Sequence, residues 1–176
     1  MSLSAIQTMI RKDAPLVLDG GLGSELAARG FDVSSPLWSA ELIRSHPEAI
    51  LQVHRAYLDA GAHCIISASY QASIPGLEAA GYDAAAIRMV LRETIAIAQQ
   101  ARDEFLRANP DCGYKPLVAA SIGPYGAYLA DGSEYRGNYG IDDEALRHFH
   151  AQRLRWLDES GADLLACETI PDLQEA

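Results

Sequence analysis

The sequence predicts an α/β fold of the (β/α)8 barrel type, and three observations support this. Short apolar segments alternate with longer segments of helical periodicity, which is typical of parallel strands joined by right-handed crossovers. Two helix ends resemble each other, residues 59–63 and 159–163, and each places a glycine just before a strand. The polar residues of functional type follow the strands, where a barrel carries its active site.

The composition is that of one globular domain. A chain of 176 residues, 49% hydrophobic and 22% charged, is long enough for a substantial core. The net charge of -10 argues against a nucleic-acid partner, and no segment approaches membrane-spanning length. Three widely spaced cysteines indicate neither a disulfide framework nor a zinc knuckle. We therefore expect a cytoplasmic protein that contacts neither nucleic acid nor membrane.

The first predicted strand, 16–18, is apolar and is expected to be buried. Asp19 stands at its carboxyl end. Three glycines follow, which allow positive φ and close approach of a ligand: Gly20, Gly21 and Gly23. Ser24 is expected to cap the next helix. Such a turn suits an amino acid zwitterion, with the ammonium on Asp19 and the carboxylate on the glycine amides. A plain β-to-α turn with a capping aspartate is the alternative.

The other elements follow in alternation. Strands are predicted at 62–67, 117–122 and 162–167. Helices are predicted as a short one near 38–41, then at 46–60, at 74–80, from the Asp83 cap to 108, and from the Asp142 cap to 160. The stretch 127–140 is predicted to be a polar loop too long for a mere connector. Residues 172–176 have the pattern of a first helical turn.

Four strand–helix units are half of the eight that a closed barrel needs. We therefore expect residues 1–176 to form the N-terminal half of a single barrel domain. Its C-terminal half would lie outside this sequence.

Six short motifs occur in the order and spacing of barrel strands. They are Leu18-Asp19-Gly20-Gly21-Leu22-Gly23, Pro36-Leu37-Trp38-Ser39-Ala40, Ser69-Tyr70-Gln71-Ala72, Ser121-Ile122-Gly123-Pro124-Tyr125-Gly126, Tyr135-Arg136-Gly137-Asn138-Tyr139 and Glu168-Thr169-Ile170-Pro171. Through them the whole chain resembles the homocysteine S-methyltransferase family. The tyrosine- and glycine-rich loop is more similar to the branch that uses S-methylmethionine or S-adenosylmethionine than to the betaine-using branch.

The resemblance implies an enzyme that transfers a methyl group from a sulfonium donor to homocysteine, giving methionine. A zinc ion held by three cysteines would activate homocysteine as its thiolate. By matching position, Asp19 and Glu168 would hold the homocysteine ammonium, beside Gly20 and Gly21. Trp38 and Tyr70 would line the methyl-donor pocket, where ring faces meet a cationic centre. Asn138 lies in a loop that could cover that pocket.

The zinc cysteines of this family lie in the second half of the barrel. We therefore do not expect Cys64, Cys112 or Cys167 to bind the metal, and we expect neither a catalytic residue nor a metal site within these 176 residues. Zinc would be bound through the C-terminal half, and the isolated chain is expected to be inactive.

Two other functions stay open. A different β/α-barrel lyase or aldolase could use Glu168 as a general base, although no lysine stands at a strand end to form a Schiff base. A non-catalytic half-barrel could bind an amino acid, or associate with itself through its open sheet edges. Size-exclusion behaviour separates these functions, because exposed edges favour association.

Overall fold

The structure, a computed structural model, describes residues 15–35 and 37–176. Pro36, part of one of the six motifs, lies outside the described residues. The elements, in chain order, are α1 (Leu22–Ala28), α2 (Trp38–Ser45), α3 (Pro47–Asp59), β1 (Cys64–Ile66), α4 (Ile74–Ala79), α5 (Ala84–Ala108), β2 (Leu117–Ile122), α6 (Tyr125–Leu129), a 3-10 turn (Ser133–Tyr135), α7 (Asp143–Asp158) and β3 (Leu164–Cys167).

The strands form one parallel sheet in the order β1-β2-β3. Ile65 pairs with Val118 and Ala120 pairs with Leu165. Helical segments connect successive strands, so the prediction of an α/β fold with a parallel sheet is confirmed. All six residues of β2 are buried, as expected for the central strand.

The predicted first strand is reduced to one parallel bridge, Leu18 to Cys64. The prediction that it is buried is wrong, because the side chains of Val17 and Leu18 are 44% and 53% exposed. This segment borders β1 on one side, and no strand among residues 15–35 and 37–176 pairs with its other side. Even so, the bridge brings Asp19 to the carboxyl end of the sheet, where its N–H donates to the Cys64 carbonyl over 3.0 Å.

The helices cover one face of the sheet. Ile65, Val118, Ala120 and Leu165 point into a core shared with α3 and α5. The other face carries a smaller apolar cluster of Cys64, Leu117 and Ala119. The sheet therefore has apolar side chains on both faces, with the larger core on the helical side.

The two predicted aspartate caps are confirmed. The side chain of Asp83 accepts a 2.8 Å hydrogen bond from Ala86 N–H, and that of Asp142 accepts a 2.9 Å bond from Ala145 N–H. These bonds satisfy amides that the first helical turn leaves without partners. No helix in the described part of the chain is both long and apolar enough to cross a membrane.

Three local predictions are corrected. Ser24 lies inside α1 rather than capping it, because the helix begins at Leu22 with Gly21 as its N-cap. The stretch 127–140 is not wholly loop, since it holds most of α6 and the 3-10 turn. Residues 172–176 form a turn instead of a helix, in which the Asp172 carboxylate accepts from the amides of Gln174 and Glu175.

Candidate functional site

A cavity of about 420 Å³ opens at the carboxyl end of the sheet, within the size range of small-molecule sites. It is formed by the turn after the Leu18 bridge, the start of α2, the end of β2 and the segments that follow β1 and β3. Its lining includes Asp19, Gly20, Gly21, Trp38, Tyr70 and Glu168, together with Ser39, Ser67, Gln71 and Ser121. Six of the seven residues predicted to bind substrate are therefore brought to one cavity.

Asp19 is held by the neighbouring strand. Its Oδ2 accepts a 2.8 Å hydrogen bond from Ile66 N–H. Its Oδ1 is buried and has no hydrogen-bond partner within the described residues. Burial raises the pKa of Asp19 to about 6; the Ile66 bond opposes this rise and the nearby charge of Glu168 adds to it. A cation in contact with this carboxyl group would lower its pKa again.

Glu168 is the first residue after β3, and a serine network orients it. The hydroxyl of Ser121 donates to Glu168 Oε1. The segment after β1 holds Ser121 in turn, because the Ser121 N–H donates to Ser67 Oγ over 3.1 Å and its carbonyl accepts from Ser69 Oγ over 2.7 Å. The hydroxyls of Ser67 and Ser69 lie 2.8 Å apart.

Each hydroxyl proton in this network has a defined direction. Since Ser69 donates to the Ser121 carbonyl, it must accept from Ser67. Ser67 in turn accepts from the amide of Ser121, which leaves the Ser121 hydroxyl to donate to Glu168. The three serines are at most 3% exposed. One oxygen of the half-buried Glu168 is thus held by a network of buried serines.

The glycine turn is tight because of its packing rather than its backbone conformation. Neither Gly20, Gly21 nor Gly23 has positive φ, so that expectation is wrong. A Cβ on Gly20 would lie 2.9 Å from the Tyr57 hydroxyl, which donates to the Gly21 carbonyl. Larger residues would therefore push the turn away from α3.

Two aromatic side chains border the cavity. Trp38 packs against the glycine turn, where a Cβ on Gly23 would lie 3.3 Å from the indole ring. The Tyr70 ring lies over Gly123, where a Cβ would approach it to 2.8 Å. Burial raises the pKa of Tyr70 to about 12, so its hydroxyl stays protonated. Thr169, one residue after Glu168, has a φ of 55°, a left-handed conformation rare for a β-branched residue.

Asn138 does not line the cavity. It is exposed, and its N–H donates to Asp172 Oδ2 over 2.9 Å. Its backbone bond ties the loop before α7 to the segment after β3. A role for its side chain in substrate binding stays a prediction.

Sequence reasoning missed Ser39 and Gln71 as site residues. Ser39 Oγ and Gln71 Oε1 are buried and, like Asp19 Oδ1, lack a hydrogen-bond partner in the part of the chain that the structure describes. Both belong to motifs quoted above, which was the available signal. Their lack of partners depends on tertiary packing and cannot be deduced from motif spacing.

The described residues do not fit a zinc site. Among them, no three histidine, cysteine, aspartate or glutamate residues are grouped to hold a metal ion. Cys64 is buried, and burial raises the pKa of its thiol to about 12, the opposite of what a metal-binding thiolate needs. Cys167 is exposed and Cys112 lies in the α5–β2 connection, away from the cavity.

The fold and the cavity together define a candidate small-molecule site at the carboxyl end of a parallel sheet, with two acidic residues that could contact a cationic ligand. Comparison with known proteins identifies the family to which the chain belongs. A family model described as homocysteine S-methyltransferase matches residues 16–176. The chain belongs to the homocysteine S-methyltransferase family.

Individual relatives agree with the family. The chain is 49% identical over 176 residues to Homocysteine S-methyltransferase YbgG of Bacillus subtilis, covering 99% of this chain and 56% of that one. It is 48% identical over 169 residues to a selenocysteine Se-methyltransferase of Brassica oleracea, covering 91% and 49%. The crystal structure of the metallated Escherichia coli homocysteine methyltransferase MmuM superposes with a TM-score of 0.91 at 46% identity, covering 97% and 59%. The chain thus spans about half the length of its relatives.

Proposed function

We propose that this chain forms the N-terminal half of a (β/α)8 barrel that transfers a methyl group to homocysteine, and that it carries the amino-acid-binding part of that site. One observation carries the proposal: Asp19 and Glu168, from opposite edges of the sheet, line one cavity, and an Asp19 oxygen has no hydrogen-bond partner among the residues that the structure describes. An ammonium group placed there would supply the missing donor and offset two neighbouring negative charges. The apolar second face of the sheet is what a barrel interior requires.

In this proposal each end of the amino acid has its own partners. Asp19 and Glu168 accept hydrogen bonds from the ammonium, and the Ser121 hydroxyl keeps Glu168 in place. The turn at Gly20 and Gly21 brings backbone close to the carboxylate. The Brassica relative is named for selenocysteine. An acceptor with the same amino-acid end fits the same residues here.

The methyl donor would lie beside Trp38 and Tyr70. Both line the cavity, and electron-rich ring faces attract a sulfonium centre. We therefore propose S-methylmethionine or S-adenosylmethionine as donor and methionine as product. The metal would be zinc, bound through residues outside this chain. The odd number of cysteines supports a reducing, cytoplasmic location.

A chimera tests the proposed function. The 176 residues are joined to the part of Escherichia coli MmuM that lies beyond the matched region, and methionine formation is measured with homocysteine and three donors: S-methylmethionine, S-adenosylmethionine and betaine. We expect activity with a sulfonium donor. D19N and E168Q should each lower kcat/KM for homocysteine by about 100-fold, since each removes a charged acceptor of the ammonium.

Matched controls lie far from the cavity. Asp59→Asn and Glu159→Gln neutralise surface carboxylates that pair with Arg55 and Arg88. They should leave kcat/KM within twofold. A folded chimera in which D19N and E168Q behave like these controls would refute the proposal.

Self-association is a second candidate function, favoured by the exposed apolar edge at Val17 and Leu18. Sedimentation velocity of the 176-residue chain tests it. Leu18→Lys should shift a dimer to monomer if this edge pairs two copies. A wild-type monomer across the concentration range would exclude the edge as an interface.

A further inference from the structure

The segment that follows β3 begins with Glu168 at the cavity and has little backbone support beyond it. The Glu168 N–H donates to the Ile122 carbonyl over 3.2 Å, but within the described chain residues 169–171 take part in no backbone-to-backbone hydrogen bond. Thr169, with its φ of 55°, has a conformation that is unfavourable for a β-branched residue and persists only where surrounding contacts hold it. The contacts of the following residues, 172–175, therefore hold this segment in place.

Glu175 anchors the far end of the segment in the protein interior, and its side chain is 0% exposed. Its Oε2 accepts from the Tyr139 hydroxyl over 2.9 Å, and its Oε1 accepts from the Tyr125 N–H. His150 Nε2 lies 2.9 Å from the same Oε1. Donors from the start of α6, from the loop before α7 and from α7 itself thus meet at one carboxylate. Moving that carboxylate would leave buried donors without an acceptor, which is unfavourable.

The protonation state of His150 follows from its second neighbour. Arg153 Nη2 lies 3.2 Å from His150 Nδ1 and can only donate, so Nδ1 accepts and the ring proton is on Nε2, from which it is donated to Glu175. Burial lowers the pKa of His150, in agreement with a neutral ring. Arg153, which is 1% exposed, also donates to the Gly123 carbonyl over 2.6 Å. The anchor is therefore tied to the turn after β2 as well as to α7.

Glu175 does not line the cavity, so a ligand bound there would not contact it. It lies on the same segment as Glu168, seven positions further along the chain. Ser121 holds one oxygen of Glu168, but the direction of the whole carboxylate also depends on where the backbone of this segment lies. A residue that fixes the backbone after β3 can therefore affect the cavity without touching it.

We propose that Glu175 is a positioning residue, which fixes the segment after β3 so that Glu168 is directed at the ammonium of the bound amino acid. This inference rests on the proposed function and deepens it. The site needs the hydrogen bonds of Glu175 and not its charge. Without them Thr169 can relax to an ordinary φ, and Glu168 then turns away from the ammonium.

Titration calorimetry on the 176-residue chain tests this with two ligands. Homocysteine carries the ammonium, and 4-mercaptobutyrate is the same molecule without it. E175A should weaken homocysteine binding about tenfold and leave 4-mercaptobutyrate binding unchanged, because only the ammonium depends on Glu168. E175Q should bind homocysteine within about threefold of wild type. Its oxygen still accepts from Tyr125 and His150, and its amide can donate to the Tyr139 hydroxyl, which accepts as well as donates.

Two further variants guard against a general loss of stability. Y139F removes one of the three donors to Glu175, should weaken homocysteine binding about threefold, and replaces E175A in the test if that variant does not fold. Asp163→Ala is the matched control, because it removes the carboxylate partner of the largely buried Arg102 at the other end of β3. It should lower stability and leave the affinity of the folded chain for either ligand unchanged.

Amide hydrogen exchange, followed by NMR, gives a ligand-free readout. E175A should speed the exchange of the Glu168 N–H about tenfold relative to E175Q, because the segment opens more often. Equal exchange at Glu168 in the two variants would overturn the inference. Wild-type homocysteine affinity in E175A, equal weakening of both ligands, or equal losses in E175Q and E175A would overturn it too. If the wild-type chain binds no homocysteine, the proposed function fails first, and this inference fails with it.

Discussion

The two ends of the parallel sheet differ in how their carboxylates are partnered. At the amino end of β3, Asp163 Oδ2 accepts hydrogen bonds from Arg102 Nη1 over 3.0 Å and from Val118 N–H over 2.9 Å. The Arg102 side chain is 9% exposed, so this ion pair is largely buried. Nearby, Gln99 donates to the Gly161 carbonyl over 2.8 Å. These contacts tie helices to strands.

The carboxyl end of the sheet differs, because buried polar atoms there lack hydrogen-bond partners among the described residues. Oxygens of Asp19, Ser39 and Gln71 around the cavity have none within the described residues. The buried ion pair, which is stabilising, therefore lies at the amino end of the sheet. The buried polar groups whose burial is unfavourable lie at the carboxyl end. Such a division is expected where a binding site is formed at some cost in stability.

The largest predicted effect is at the amino end. Asp163→Ala removes the carboxylate that accepts from Arg102 Nη1 and from Val118 N–H, and leaves Arg102 with its Nε bond to Asp103, so we expect a loss of about 3 kcal/mol in the free energy of unfolding. Urea denaturation measures it. Asp59→Ala, whose exposed carboxylate pairs with Arg55 at 3.6 Å, is the control and should change stability by less than about 0.5 kcal/mol. If the two substitutions lowered the free energy of unfolding equally, the buried contacts of Asp163 would be no more stabilising than an exposed ion pair. The proposed difference between the two ends of the sheet would then be wrong.

His54 shows that a lack of partners does not by itself define a site. It is fully buried in α3, away from the cavity, and both ring nitrogens lack partners among the residues described. Burial lowers its pKa from 6.5 to about 4. The unfolded chain therefore binds the proton more tightly, and stability is complete above pH 6.5 and lost as the pH falls towards 4.

We expect this group to contribute a loss of about 2 to 3 kcal/mol over that window. His54→Leu should flatten the acid limb of a plot of stability against pH. An unchanged acid limb would show that His54 already has a partner or is solvated.

Asp19→Asn should have the opposite sign to the amino-end substitution. The folded state raises the pKa of Asp19 to about 6, so its favourable contribution is present below pH 4 and lost as the pH rises through 6. Asparagine avoids that loss and can still accept from Ile66 N–H. Since Asp19 is partly solvated, we expect a gain of about 1 kcal/mol at pH 8 and none at pH 4. Chemical denaturation at the two pH values measures it; destabilisation at pH 8 would contradict the account.

Ser121→Ala tests the link between the strands and Glu168. It removes one charge-assisted hydrogen bond, for an expected destabilisation of about 1 kcal/mol. In a double-mutant cycle with E168Q the effect should shrink, because Ser121 then has a weaker partner. Thr94→Val removes another buried hydroxyl, which donates to Leu91 within α5, and should show no coupling to E168Q. Additive effects of Ser121→Ala and E168Q on the free energy of unfolding would show that the Ser121 hydroxyl and Glu168 do not interact.

Periodicity and capping residues were enough to predict most of this fold. The apolar runs predicted the strands in the correct order along the chain, and Asp83 and Asp142 are the N-caps of α5 and α7. The exposure of Leu18 could not be predicted, because an apolar run reports what a strand can bury and not which neighbours it has. The helix Tyr125–Leu129 was missed because its few residues, rich in glycine and tyrosine, show no helical pattern.

The residues that line the candidate site could be predicted where they follow directly from chain position. Asp19 and Glu168 each follow a strand-like segment, and parallel strands bring such residues to one edge. The serine network depends on side chains from β1 and β2 meeting, which no local pattern reports. Ser39 was missed for a related reason, because the lack of a hydrogen-bond partner for its hydroxyl among the described residues depends on tertiary packing.

The most direct test of the account is calorimetric titration of the 176-residue chain with homocysteine at pH 8, for wild type, D19N and D59N. The account predicts that wild type and D59N bind equally, and that D19N loses binding although it is the more stable protein. Binding by D19N equal to wild type, or loss of both binding and stability together, would contradict the claim that the unpartnered carboxyl end of the sheet is an amino-acid site.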